Sequence, residues 1–209
     1  MDENPRRLGG NGGLECLGGV LVELADKFKI VLEKIRTQEK AYTRIAVVGQ
    51  PGAGKSSLIN NLIGKKVAET GPKTDVTREE KEYEYNFLRL VDIPGYGTSL
   101  FTFDKWIKKY PIKEYDVLLY VCSGKLIEED IKLFNEINAL NNHNPKPLFL
   151  VRTHSNSLED SLDRDNVRRD ILKHLNVSSH TKVYFVDCGR EKEGIKELDD
   201  AIREAKYEE

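Results

Sequence analysis

Residues 49–56 read Gly49-Gln50-Pro51-Gly52-Ala53-Gly54-Lys55-Ser56, a match to GxxxxGK[ST]. The apolar run Ile45-Ala46-Val47-Val48 precedes it. A segment with Leu58, Ile59, Leu62 and Ile63 on one helical side follows it. Strand, glycine loop and helix is the context in which this motif grips phosphate. Gly49, Gly52 and Gly54 allow the backbone torsions that turn N–H groups, with that of Ala53 among them, around phosphate oxygens. The helix N-terminus adds partial positive charge. Lys55 reaches the β- and γ-phosphates, Ser56 offers its hydroxyl to Mg²⁺, and Ser57 touches the α-phosphate.

Outward from this loop, strands and helices alternate. Lys81 to Phe87 sets Tyr83, Tyr85 and Phe87 at every second position, which predicts a half-buried edge strand. Leu88–Val91, Val117–Val121, Leu148–Val151 and Val183–Val186 are further apolar runs. Amphipathic segments at Phe103–Tyr110, Ile127–Leu140, Val167–Leu175 and Ile195–Ala205 separate them. The pattern predicts a three-layer α/β fold: six strands in a mostly parallel sheet, with five helices on its two faces.

A phosphate loop needs an acidic residue at the end of a neighbouring strand to hold the metal. Leu88-Arg89-Leu90-Val91-Asp92 supplies it and runs on as Asp92-Ile93-Pro94-Gly95, a DxxG switch in which the Gly95 N–H would sense the γ-phosphate. Between the two motifs, residues 70–80 are polar and lack helical periodicity. They predict a mobile loop that donates one threonine to Mg²⁺ and the γ-phosphate. Thr77 is the first choice and Thr74 the second. Asp75, Arg78, Glu79 and Glu80 are the neighbouring groups that could supply a catalytic charge, in cis or across a dimer.

These motifs resemble the Ras-like P-loop GTPase superfamily, and within it the immunity-related GTPases, the interferon-inducible IRG family. GQPGAGKSSLINNL, DVTREEKEY with VDIPGYGT, and EYDVLLYVCSGKLIEEDIKLFNEI with PLFLVRTHSN carry the resemblance, over about residues 40 to 206. It implies a G-domain fold, GTP hydrolysed to GDP with Mg²⁺, and nucleotide-dependent association of two copies through the nucleotide face. It also implies peripheral work at internal membranes. The family's catalytic acidic switch residue falls on Asp75. Ras-type enzymes place a water-orienting glutamine directly after DxxG, where this chain has Tyr96. A phenol cannot orient and polarise water in that way, so intrinsic hydrolysis is expected to be slow.

GTPases read guanine with [NT]KxD after the fifth strand. Here the frame is Thr153-His154-Ser155-Asn156. His154 can stack on the base. Asn156 can accept one N–H, but its NH₂ opposes the guanine 2-amino group, a mismatch of about 1–3 kcal/mol. The same amide suits xanthine better. A backbone contact to the base oxygen would come from Cys188 or Gly189, with Cys188 read as a packing residue.

Upstream, Leu17, Leu21, Leu24, Phe28, Val31 and Ile35 form one helical stripe. The expected organisation is a tail over 1–16, an amphipathic helix over 17–40 and the G domain over 41–209. The stripe would pack on the domain or meet a protein partner. The chain has 33 basic and 35 acidic residues for a net charge of −2, no footprint for nucleic acid. Three cysteines without CxxC spacing, no signal-peptide core and no transmembrane run fit a cytoplasmic protein. The family's helical domain has no counterpart in these 209 residues. Two other roles stay open: a nucleotide-binding interaction module with little turnover, and a bacterial-type ribosome-assembly GTPase.

Overall fold

The computed structural model describes residues 12–40, 42–70, 79–96, 103–143, 145–158, 160–189 and 191–205. The chain divides into two compact units, Met1–Tyr42 and Thr43–Glu209. The first holds one helix, α1 (Gly12–Lys40). It begins before residue 17, so residues 12–16 are helix and not tail. No helix among the described residues is long and apolar enough to cross a membrane.

The second unit is a six-stranded sheet in the order β2-β3-β1-β4-β5-β6. The strands are β1 (Thr43–Val48), β2 (Lys81–Tyr85), β3 (Leu88–Asp92), β4 (Val117–Cys122), β5 (Leu148–Arg152) and β6 (Val183–Phe185). Among the described residues only the β2–β3 pairing is antiparallel. The helices are α2 (Lys55–Ile63), α3 (Phe103–Lys109), α4 (Glu128–His143), α5 (Ser161–His174) and α6 (Ile195–Ala205).

Strand alternation sorts the core into two layers. Ala46, Val48, Leu118, Tyr120 and Leu150 face one side with Trp106, Phe134, Ile137 and Ile171, which come from α3, α4 and α5. Ile45, Val47, Leu119, Val121 and Val151 face the other with Leu58 and Leu62 of α2 and Leu198 and Ile202 of α6. β1 is buried on both faces, as a central parallel strand should be.

Two elements differ from the sequence expectation. The edge strand stops at Tyr85, not Phe87. Tyr85 pairs with Leu88, which leaves Asn86 and Phe87 as a two-residue turn with φ of 44° and 64°. Positive φ at both positions is the mark of a type I′ turn, so Phe87 leaves the strand and is 73 % exposed. α5 begins at Ser161, six residues before Val167. The Asp160 carboxylate caps it by accepting the Asp163 N–H at 2.9 Å. Its first turns are charged and solvent-facing, so apolar periodicity does not reveal them.

Candidate nucleotide site

The loop after β1 crosses β4 closely. A Cβ on Gly49 (φ 152°) would lie 2.1 Å from the Val121 carbonyl oxygen, so only glycine passes there. Gly54 (φ 89°) opens α2 in the left-handed region. Gly52 (φ 79°) has nothing within 4 Å of an added Cβ and leaves the loop face open. Lys55 is 6 % exposed. Its Nζ donates to the carbonyls of Gly49 (3.1 Å) and Gln50 (2.9 Å), so the cation lies over the loop it would arm.

Parallel pairing of β1 with β3 sets Val47 beside Asp92. The Ser56 hydroxyl donates to Asp92 Oδ2 at 2.6 Å. A hydroxyl and a carboxylate are hard oxygen donors and fit Mg²⁺. No group of three or more His, Cys, Asp or Glu side chains suited to a metal occurs among the described residues. Gly95 seats the switch on the loop: its Cβ position would be 2.5 Å from the Pro51 nitrogen. Thr74, Asp75 and Thr77 lie outside the described residues. Glu80, one of the candidate charges, is held 3.2 Å from Arg44 at the start of β1, the opposite end of that strand from the phosphate loop.

Tyr96 turns into the core. It is 3 % exposed and meets the indole of Trp106 edge-on at 6.0 Å. Burial pushes its phenol pKa well up, with Asp130 adding to the effect. Trp106 donates its indole N–H to the Pro94 carbonyl at 2.6 Å and so fixes the switch backbone. Gln50 Nε2 reaches the Tyr96 hydroxyl at 3.5 Å. Sequence reasoning left Trp106 out of the site. Its being the sole tryptophan, just downstream of DxxG, was the available signal.

At the base end, Thr153 is 1 % exposed. Its hydroxyl donates to the carbonyl of Ala53 at 2.7 Å, so this side chain ties β5 to the phosphate loop instead of facing a base. His154 is exposed with φ 56°, and Asn156 is exposed on the short 3₁₀ turn Ser155–Ser157. The Ser155 N–H donates to the Val186 carbonyl at 3.2 Å, which sets that turn beside the end of β6. Asn61, which sequence reading passed over, donates to the carbonyls of Ser57 (2.9 Å) and Cys188 (3.1 Å) and joins α2 to the loop after β6. Burial, then Asp187, pushes the Cys188 thiol up to about 11, so it stays protonated and packs. Arg164 grips Glu193 with two bonds of 2.7 Å, and Ser155 Oγ is 3.5 Å from the same carboxylate.

The loop, the Ser56–Asp92 pair and the base turn all stand at the carboxyl ends of the parallel strands, the arrangement of a P-loop domain of the GTPase type. Comparison with known proteins narrows that class. The interferon-inducible GTPase (IIGP) family model matches residues 21–187, and the chain belongs to that family. It is 33 % identical over 171 residues to interferon-gamma-inducible GTPase 10 of Mus musculus, covering 71 % of this chain and 40 % of the relative. Among solved structures it is similar to Era of Aquifex aeolicus (TM-score 0.62, 24 % identity, 78 % of this chain and 56 % of Era). It is also similar to Toc33 of Arabidopsis thaliana (TM-score 0.58, 19 % identity, 84 % and 88 %). The chain therefore spans less than half the length of the curated relative.

Proposed function

We propose that the chain binds GTP and, with Mg²⁺, hydrolyses its β–γ bond as a conformational switch, activated when two copies meet through the nucleotide face. One observation carries this reading: Ser56 Oγ lies 2.6 Å from Asp92 Oδ2 at the rim of a glycine loop closed by Lys55. Ser56 and Asp92 would hold Mg²⁺, which supplies positive charge to the β- and γ-phosphate oxygens when bound. Lys55 exchanges the carbonyls of Gly49 and Gln50 for phosphate oxygens. Gly95 turns its N–H to the γ-phosphate, Thr77 completes the side-chain ligands and Asp75 acts on the attacking water. These are positioning and electrostatic roles, which is what phosphoryl transfer needs.

Pairing is favoured because Tyr96 is committed to the core and Glu80 to Arg44. The missing catalytic group then comes from the switch loop or from a second copy. Dimerization is important for the GTPase activity of the chloroplast translocon components atToc33 and psToc159, and this chain resembles the fold of Toc33. A second reading, a nucleotide-binding module with little turnover, is favoured by the same Tyr96 and by Asn156. Phosphate release with GTP, XTP and ATP at rising protein concentration separates the two. Turnover per molecule that climbs with concentration is expected. Retained binding with no release from any nucleotide overturns hydrolysis in favour of the module.

A further inference from the structure

Arg152 ends β5 and is only 5 % exposed. Its Nη1 donates to the Thr153 carbonyl. Its Nε is buried and makes no hydrogen bond. No carboxylate among the described residues pairs with it. The Cys122 thiol, its register partner on β4, is pushed up to about 12 by burial and is neutral at pH 7. A guanidinium buried without a counter-charge is costly unless something anionic satisfies it.

Arg152 lines a cleft of about 540 Å³ between the loop after β4 and α5. Lys125 adds a second cation there, and Leu126, Val167 and Ile171 supply apolar wall. Asp170 is the one acid on the lining, and it stands 3.2 Å from His174 Nδ1. With Nη1 held by Thr153 and Nε buried, Nη2 is the donor the guanidinium has left for a charge-assisted bond to a carboxylate.

We propose that this cleft binds a small organic anion, a carboxylate on a short apolar chain, with Arg152 gripping the carboxylate and Leu126, Val167 and Ile171 covering the tail. The site lies on the α4–α5 side of the sheet, the face opposite α2, and does not depend on which nucleotide the phosphate loop takes.

The test is thermal unfolding of the whole chain in hexanoate, in methyl hexanoate and in inorganic phosphate, at constant ionic strength. Hexanoate at ten times its dissociation constant should raise the midpoint by about 3–6 °C, and its uncharged ester should not. Arg152→Met should abolish the hexanoate shift without lowering the midpoint in plain buffer. Val167→Phe, which fills the cleft and leaves Arg152 in place, should abolish it as well and keeps the test decisive if Arg152→Met does not fold. The proposal is overturned if hexanoate gives no shift, if the ester shifts equally, or if the shift survives the substitutions. A full shift from phosphate that vanishes in Arg152→Met overturns the organic part.

Discussion

At the scale of single residues, Asn156 is the proposed base reader and Gly49 is what lets the loop pass β4. Asn156→Asp restores two acceptors for the guanine N1–H and 2-amino group. Competition binding should show guanine nucleotides about tenfold tighter or better, with any preference for xanthine reversed. Unchanged selectivity would place base reading elsewhere in the site. Gly49→Ala drives a Cβ to 2.1 Å from the Val121 carbonyl. Backbone has to move, so a loss of about 3 kcal/mol or more is expected in urea titrations. Both motifs were readable from sequence because each needs particular residue types at fixed spacing. The inward turn of Tyr96 was not readable. DxxG places the residue but not its side chain, and the ring it packs against, Trp106, comes from α3.

At the scale of elements, the turn between β2 and β3 and the clamp behind the base turn are the informative pieces. Phe87 sits at φ 64°, a conformation that costs a bulky residue about 1–2 kcal/mol. Replacing it with Gly removes that cost at some loss of chain entropy. A net gain of about 0.5–1 kcal/mol should raise the thermal midpoint by about 2–3 °C. A lower midpoint would mean that the exposed ring is held by contacts of its own. The Arg164–Glu193 clamp holds α5 to the loop before α6. The hydrogen bonds from Arg164 hold the Glu193 carboxyl below the usual carboxylate range. Its folded pKa is thus depressed, so its stabilisation is present above about pH 4.3 and is lost as pH falls through the folded value. Midpoints measured from pH 6 to pH 3 should fall less steeply in Glu193→Gln than in the native chain. Parallel curves would assign acid sensitivity to other carboxylates. The pair is part exposed, so the difference should shrink in high salt.

At the scale of the whole molecule, the sheet gathers motifs far apart in sequence to one end, and ligand linkage should report it. Mg²⁺ and GDP at a hundred times the dissociation constant should raise the midpoint by about 5–10 °C. Chelation should reverse part of that rise, and Ser56→Ala should abolish the metal-dependent part. A rise indifferent to both would remove Ser56 and Asp92 from the metal site.

The sequence by itself determined the class of fold, because a phosphate loop between strand and helix, one alternating strand and four further apolar runs admit few arrangements. It also singled out Ser56 and Asp92, which the fold brings to 2.6 Å, because each motif needs those residue types at that spacing. Tertiary structure decided what depends on contacts between distant segments. It committed Thr153 to holding the phosphate loop, Glu80 to Arg44 and Tyr96 to the core. It also left Arg152 buried beside a cleft, with no carboxylate among the described residues paired to it. Hydrophobic periodicity records which face of an element is covered, but not which neighbour covers it, and those four side chains owe their surroundings to the neighbour.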